Sequence, residues 1–313
     1  MDALYRDRSA ALGRARFVSL KGADRQLLVA VGLMIVANVL FAFNDVWLRR
    51  IADDIGLVTT LWGRSVLFLA LMSMLMTRTD WQHVLGMSRP HLQIARAVLP
   101  LLGSFLMIGA MAHLPVADVT ATFFISPLIA VLLAIALLHE KIGIEKWLAL
   151  ACGIAGVLVI LRPAGDAFGW THTWPLLAAL TIALYQVFTT LVTRRANARV
   201  TLFFMAATAT VITSVLVPFT WTTPSGGAWT MLFGTAVLYI VGHGMYIMAH
   251  AKAEASRLAP FVYFQLLGSV GAGYLLYGQV PGAYTLVGCA LIALGGVLVM
   301  TRRKPPAAAV IKF

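Results

Sequence analysis

Residues 111–140 read MAHLPVADVTATFFISPLIAVLLAIALLHE, and residues 248–279 read MAHAKAEASRLAPFVYFQLLGSVGAGYLLYGQ. Both stretches open with Met-Ala-His and continue into an apolar run. Each is followed by a second match, Gly156-Val157-Leu158 in the first copy and Gly295-Gly296-Val297-Leu298 in the second. The offset between the copies is 137 residues at Met-Ala-His and 139 residues further on. The chain therefore contains an internal repeat.

The composition indicates a membrane protein. Hydrophobic residues make up 60% of the chain and charged residues only 12%, with a mean hydropathy of +0.88. Soluble domains have about 45–50% apolar and roughly 25% charged residues, so this composition argues against a soluble globular enzyme. A membrane-spanning helix needs about 20 apolar residues. The apolar runs predict ten such helices, spans 1 to 10, at residues 27–48, 57–77, 93–112, 118–138, 144–162, 174–193, 200–220, 229–249, 258–277 and 282–301.

The distribution of Lys and Arg predicts the orientation of these spans. With the N-terminus in the cytoplasm, 20 of the 24 basic residues fall in cytoplasmic segments and three in outer segments. Because basic residues accumulate in cytoplasmic loops, this asymmetry predicts cytoplasmic N- and C-terminal tails, residues 1–26 and 302–313. The net charge of +12 is then a topology signal and predicts no nucleic-acid partner. We expect a multi-pass protein of the inner (plasma) membrane.

The repeat divides the ten spans into two groups of five, residues 27–163 and 164–301. Because five is an odd number, the second group must be inverted in the membrane relative to the first. The predicted fold is thus an all-α integral membrane protein with ten transmembrane helices as two inverted five-helix repeats. Inverted repeats are typical of secondary transporters, in which rocking of the halves alternates access to a site near the midplane.

The stretch from Ala110 to Leu161 also carries a family resemblance. Its sequence Ala112-His113-Leu114-Pro115-Val116-Ala117, leading to Ser126-Pro127 and then Glu140, resembles the drug/metabolite transporter superfamily in its ten-helix EamA-type branch. Within that branch the chain is similar to YddG-like amino-acid exporters. The second copy departs from the pattern, with Gln279 where the family usually has Glu and Leu266 where the first copy has Pro127.

The resemblance implies a secondary transporter that exports small metabolites across the inner membrane by alternating access. Amino acids, aromatic ones and others, are the expected substrates, with broad specificity. Two alternatives remain open: transport of another class such as nucleosides, amines or drugs, and a channel-like or non-transporting membrane scaffold. Saturable counterflow would distinguish a carrier from the second alternative.

Signatures of an enzyme are missing from the sequence. His139-Glu140 begins like the zinc-binding pattern HExxH, but position 143 is Gly, so the pattern fails. Neither a phosphate-binding loop nor a dinucleotide-binding fingerprint is present. We therefore expect no enzymatic activity, no metal and no cofactor. The expected partners are a small-molecule substrate and the lipid bilayer, and a monomer is compatible with the sequence.

Polar residues inside spans are costly and usually mark a transport pathway. Asp45 in span 1 and Arg64 in span 2 both lie in the predicted outer half, where pairing them would relieve two desolvation penalties. The alternative is that Arg64 reaches the outer headgroups and Asp45 reaches water. No acidic residue lies near the centre of a span, which predicts facilitated exchange or weak coupling rather than obligatory proton antiport through a central carboxylate.

Span 8 carries a stripe of rings at helical spacing, because Tyr239, His243, Tyr246 and His250 recur every three or four residues. Such rings suit a cavity for amphipathic solutes, whereas the alternative is a packed core. The predicted substrate site lies between the halves and is lined by Asn38, Phe41, Tyr185, Gln186, Tyr239, His243, Tyr246 and Tyr263. Without a strong central charge, this site should favour a zwitterion.

Helix-breaking residues fall at repeat-related depths in spans 4 and 9. Pro127 in span 4 and Gly268 and Gly271 in span 9 predict a helix break, which is tolerated at membrane depth only where protein or a cavity covers it. The alternative is that the glycines permit close helix packing.

Overall fold

The computed structural model describes residues 2–87, 90–111, 113, 122–140, 142–161, 171, 173–193, 197–277 and 282–301, and these residues form helices and connections with no β-strand. Ten longer helices within this part of the chain, one for each predicted span, are labelled in chain order: α1 Asp2–Ile55, α2 Leu57–Leu75, α3 Pro90–Met111, α4 Ser126–Leu138, α5 Ile144–Leu161, α6 Thr173–Thr193, α7 Ala198–Leu216, α8 Gly226–Lys252, α9 Phe264–Tyr277 and α10 Ala283–Thr301. Helices α1–α5 form the first half and α6–α10 the second. Shorter helical segments lie at Arg78–Leu85, Val217–Phe219, Ala255–Leu258 and Ala259–Tyr263.

Five helical stretches in the described residues are long and apolar enough to cross a membrane: Arg25–Ile55, Leu57–Leu75, Thr173–Leu191, Ala198–Phe219 and Gly226–Lys252. Helix α4 has only 13 residues. At 1.5 Å per residue it covers about 20 Å, less than the roughly 30 Å of a hydrocarbon core. Residues 118–121 of the predicted span 4 lie outside the described residues.

The predicted helix break is found at Pro127 but not at Gly268 or Gly271, because a turn at residues 124–125 interrupts span 4 and a new helix, α4, begins at Ser126. Pro127 occupies the first turn of α4, where its missing N–H costs no hydrogen bond, and α9 continues through both glycines. In span 9 the irregular backbone instead precedes α9, as the 3-10 segment Ala259–Tyr263 that contains Pro260. Gly268 serves close packing, because a Cβ there would lie 2.9 Å from the Cα of Val39 in α1.

Contacts between helices of the two halves occur in matched pairs. Helix α1 packs on α8 and α9, and the corresponding helix α6 packs on α3 and α4. Likewise α2 packs on α8, and its counterpart α7 packs on α3. The remaining two large contacts, α2 with α7 and α5 with α10, join counterparts directly. If each helix is replaced by its counterpart in the other half, the same set of large contacts between the halves results.

In the α5–α10 contact, individual residue contacts are also reciprocal between the two halves. A Cβ on Gly156 of α5 would lie 2.7 Å from the carbonyl oxygen of Gly288 in α10. A Cβ on Gly295 of α10 would lie 2.8 Å from the carbonyl oxygen of Ala149 in α5. Adding 139 to 149 and 156 gives 288 and 295, so the two contacts exchange under the repeat offset. Reciprocal contacts of this kind are the mark of a two-fold relation between two surfaces.

Candidate functional site

The rings of α8 form a continuous row on its inner face. The ring centroids of Tyr239 and His243 are 4.0 Å apart, those of His243 and Tyr246 are 6.4 Å apart, and those of Tyr246 and His250 are 4.3 Å apart. In both histidines Nδ1 lies within hydrogen-bond distance of the carbonyl four residues earlier, which fixes the ring against its own helix. The stripe predicted on span 8 is therefore a continuous row of tilted rings.

Helices α1 and α6 add further rings to this row. Phe41 of α1 lies 4.5 Å from His243, between ring centroids. Tyr185 of α6 lies 5.3 Å from Tyr246, with an angle of 18° between the ring planes. Gly242 makes the approach of α1 to α8 feasible, because a Cβ there would lie 2.7 Å from Cε1 of Phe41. We call Phe41, Tyr185, Tyr239, His243 and Tyr246 the ring cluster.

Two buried arginines lie against the ring cluster. The guanidinium carbon of Arg64 lies 4.2 Å from the ring centroid of Tyr239, and that of Arg96 lies 5.2 Å from the ring centroid of Tyr185. Both side chains are buried, with exposed fractions of 3% and 0%. Stacking on aromatic faces stabilises a cation, and more so when water is removed.

Arg96 was not predicted as a site residue, because its position near the start of span 3 assigned it to the cytoplasmic segment. In the structure it lies inside the bundle and donates hydrogen bonds to Oγ1 of Thr189 at 3.3 Å and to the carbonyl oxygen of Thr201 at 3.1 Å. A usable signal was present: Gln93, Arg96 and Pro100 share one face of span 3. Two guanidinium groups border the ring cluster, and the expectation of a site without a strong central charge did not include them.

Asp45 and Arg64, the predicted buried pair, are not joined by an ion pair within the described part of the chain. The carboxylate of Asp45 accepts a hydrogen bond from Nε2 of Gln265 in α9 at 2.8 Å, and its side chain is exposed. Arg64 forms no hydrogen bond with the described residues. The two groups influence each other electrostatically over a longer distance.

The remaining predicted site residues take different places. Asn38 is buried and donates to the carbonyl oxygen of Met34 in its own helix at 2.8 Å. Gln186 is completely buried on α6, the helix of Tyr185. Tyr263 belongs to a separate apolar cluster, with its ring centroid 6.0 Å from that of Phe124. Tyr263 thus lies outside the ring cluster.

Several buried polar atoms near the ring cluster have no hydrogen-bond partner among the described residues. They are the hydroxyl of Tyr246, Nε2 of His250 and both polar atoms of the Gln186 amide. An unpaired buried donor or acceptor costs about 1–3 kcal/mol. Groups of this kind are available to a bound solute or to water.

One end of the bundle is bridged by Glu140, which follows α4. Its carboxylate accepts hydrogen bonds from the backbone N–H groups of Ala255 at 3.2 Å and Ser256 at 3.0 Å, where the chain has left α8. Lys146, buried at the start of α5, donates to Oγ of Ser256 at 2.7 Å. Sequence reasoning missed this bridge because its two sides are 115 residues apart.

A second polar bridge involves Asp80, which lies in the surface helix Arg78–Leu85. The carboxylate of Asp80 accepts hydrogen bonds from the backbone N–H and hydroxyl of Thr77, which caps this helix. It also accepts from Nδ2 of Asn197 at 2.7 Å and lies 3.4 Å from Nη1 of Arg199. The Thr77 hydrogen bonds, and to a smaller extent Arg199, lower the pKa of this carboxyl group. All residues of both bridges lie in or beside loops predicted to be cytoplasmic.

Comparison with known protein families identifies the family to which this architecture corresponds. The EamA-like transporter family matches the chain twice, at residues 28–162 and again at residues 169–301. The chain belongs to the EamA-like transporter family. It is thus a multi-pass membrane protein with a duplicated domain, and its relatives carry the names of transporters rather than enzymes.

Curated relatives resemble the chain over about two thirds of its length or more. A riboflavin transporter of Rhizobium johnstonii is 26% identical over 72% of this chain and 71% of its own. A riboflavin transporter of Vibrio cholerae is 29% identical over 64% of this chain and 68% of its own. An S-adenosylmethionine uptake transporter of Rickettsia felis is 26% identical over 67% and 72% of the two chains. These names support transport of small metabolites.

A solved crystal structure shares the fold of this EamA protein. The two superpose with a TM-score of 0.66 over 89% of this chain and 96% of the other, at 16% sequence identity. Two residues of the second copy differ from the family pattern. Of these, Leu266 is buried in α9, and Gln279 lies outside the described residues.

Proposed function

We propose that this EamA protein is a secondary transporter that moves small amphipathic metabolites across the bacterial inner membrane by alternating access. Amino acids and related compounds are the proposed substrates, and export is the proposed direction. One observation carries the proposal: the ring cluster and its two arginines are assembled from α1, α2 and α3 of the first half and α6 and α8 of the second. A site built by both halves is the site that their relative movement can open to either side.

The reciprocal contacts of α5 with α10 support a two-fold relation between the halves. With five membrane-spanning helices in each half, a two-fold relation inverts one half with respect to the other. The proposed topology therefore has both termini in the cytoplasm and an inverted pair of five-helix repeats. It agrees with the asymmetry of Lys and Arg along the sequence.

The names of the relatives support an amphipathic substrate class. Besides riboflavin and S-adenosylmethionine transporters they include a pseudopaline exporter of Pseudomonas aeruginosa, 24% identical over 62% of this chain. Riboflavin and S-adenosylmethionine each combine a planar heterocycle with polar groups. The ring cluster offers aromatic faces for such a heterocycle, and the unpaired polar atoms of Tyr246, His250 and Gln186 offer hydrogen bonds.

The burial of the site indicates which side is closed in this conformation. Asp45 at the proposed outer side is exposed, and Phe41 and Tyr239 are half-buried. Arg96 and His250, towards the proposed cytoplasmic side, are fully enclosed. Both polar bridges lie at this enclosed end. The two bridges and the enclosed side chains support a closed cytoplasmic side, whereas the outer side combines the exposed Asp45 with the buried Arg64.

Counterflow in proteoliposomes tests the proposed function. Vesicles loaded with unlabelled solute should take up the same labelled solute transiently and saturably, in a panel of aromatic and aliphatic amino acids, riboflavin and S-adenosylmethionine. His243→Ala should lower the rate severalfold, whereas Tyr274→Ala, which removes an exposed ring on α9, should leave it unchanged. Linear, non-saturable uptake would indicate a channel, and no uptake of any solute by folded protein would contradict the transport function.

A further inference from the structure

The electrostatics of the ring cluster are unbalanced. Arg64 and Arg96 border the cluster as buried cations, and His243 lies within the electrostatic reach of both. Among the described residues, Asp45 is the one carboxylate that acts on Arg64, and it lies beyond ion-pair distance and already accepts a hydrogen bond from Gln265. The three salt bridges in the described part of the chain all lie at the predicted cytoplasmic end.

The two arginines differ in what holds them. Arg96 has two hydrogen bonds to the protein, from Nη1 to Thr189 and from Nη2 to Thr201. Arg64 has none with the described residues, and its Nε is enclosed without a partner. A guanidinium group has five N–H donors in a fixed fork that matches a carboxylate in two parallel hydrogen bonds.

A buried cation without hydrogen bonds is unfavourable, and an ionisable side chain within a membrane protein normally has a partner. The ring of Tyr239 supplies part of the stabilisation of Arg64, through its π face. It does not supply acceptors for the N–H groups. The unpartnered N–H groups of the guanidinium therefore favour an anionic acceptor, and the neighbouring rings favour a planar apolar group.

We propose that the transported solute carries a carboxylate close to a planar aromatic or heteroaromatic ring, and that Arg64 binds this carboxylate while the ring cluster binds the ring. This inference rests on the proposed transport function and specifies its substrate class. An aromatic amino acid satisfies it, with the ammonium group directed towards Asp45. An aromatic amine lacking the carboxylate does not satisfy it.

Three indole compounds of similar size test the proposal: indole-3-propionate, an anion; tryptophan, a zwitterion; and tryptamine, a cation. The apparent Kd of each is measured from the shift in melting temperature of the purified protein with ligand concentration. The anion and the zwitterion should bind at least tenfold more tightly than the cation. Arg64→Gln should weaken binding of indole-3-propionate by about ten- to hundredfold, since hydrogen bonds between charged groups are lost.

Two further variants keep the test independent of folding defects. Arg64→Lys retains the charge but loses the planar fork, and it should recover part of the affinity for the anion. Arg49→Gln removes an exposed cation from the same end of the bundle and should leave all three affinities unchanged.

The outcomes separate this proposal from the transport function. Equal or tighter binding of tryptamine, or no binding of any indole compound, overturns the substrate class, even where counterflow of other solutes is saturable. Retained preference for the anion in Arg64→Gln, with loss of the preference in Arg96→Gln, overturns the role of Arg64. Absence of saturable counterflow for every solute overturns the transport function itself.

Discussion

Replacing Gly156 by Ala should destabilise the protein through the α5–α10 contact. The new Cβ would lie 2.7 Å from the carbonyl oxygen of Gly288 and 2.7 Å from Cγ1 of Ile292. The isoleucine side chain can rotate away, but the carbonyl belongs to a helix backbone, so α5 and α10 must separate. Overpacking of this kind costs about 1–3 kcal/mol, and the better helix propensity of Ala returns about 0.5–1 kcal/mol. We expect a net loss of about 1–2 kcal/mol.

The repeat supplies a second, independent version of the same experiment. Gly295→Ala places a Cβ 2.8 Å from the carbonyl oxygen of Ala149 and should be destabilising to a similar degree. Gly32→Ala is the matched control, because no atom lies within 4 Å of its new Cβ. The control should be neutral or more stable by up to about 1 kcal/mol.

The assay is the free energy of unfolding of detergent-purified protein, from denaturant titration followed by circular dichroism and tryptophan fluorescence. Agreement of the two signals establishes that one transition is measured. If Gly156→Ala and Gly295→Ala are as stable as Gly32→Ala, the close approach of α5 and α10 is wrong. If one of the two is destabilised and the other is not, the reciprocal character of the contact is wrong.

Three further predictions concern topology, the cytoplasmic end and pH. A cytoplasm-active reporter fused after Arg195 should be active and one fused at Ser225 inactive, and the opposite pair would contradict the inverted repeat. Glu140→Gln should weaken the hydrogen bonds that Glu140 accepts from Ala255 and Ser256 by about 1–2 kcal/mol. Thiol labelling of His250→Cys, in a background without native cysteines, should then accelerate about five- to thirtyfold. An unchanged labelling rate would show that the Glu140 bridge does not keep the cytoplasmic side closed. Hydrogen bonds from Thr77, the N-cap of the helix Arg78–Leu85, hold the pKa of Asp80 below its ordinary 3.8. The ionised carboxylate therefore stabilises the fold above pH 3.8, and this contribution is lost as pH falls through the lowered pKa. The melting temperature should decline more steeply on acidification in the native protein than in Asp80→Asn, and parallel curves would refute this.

The sequence predicted the helices well, because the signals for them are local. Apolar runs of about 20 residues identify membrane spans. Within the described residues, five of the predicted spans are helices long and apolar enough to cross a membrane, and the other five overlap a helix in part or in full. The stripe from Tyr239 to His250 was equally readable, since helical periodicity alone puts residues three and four apart on one face. Its role in binding remains a prediction.

The positions of Arg96 and Tyr263 and the partners of Glu140 were not predicted, because they depend on span boundaries and on contacts between segments far apart in the sequence. Arg96 was assigned to a loop because hydropathy defines the end of a span only to within a few residues, and one helical turn decides whether a charge is in the loop or in the bundle. Tyr263 ends the 3-10 segment before α9, and the helical periodicity read through span 9 did not predict that segment. The partners of Glu140 lie in the other repeat and leave no local pattern.

The burial of Arg64 also bears on how the carrier responds to voltage. In the proposed orientation this residue lies about two turns inside the outer end of α2, so part of the membrane field acts on its charge. A unit charge crossing the full field changes energy by about 2.3 kcal/mol per 100 mV. The vacant site is positive, and a bound carboxylate neutralises it. The membrane field would therefore act on the vacant site but not on the occupied site as access changes sides. For a solute with a net negative charge, a negative cell interior favours inward return of the vacant carrier and outward release of the anion, so the membrane potential would favour the proposed export; a net-neutral zwitterion would gain nothing from the potential over a full cycle.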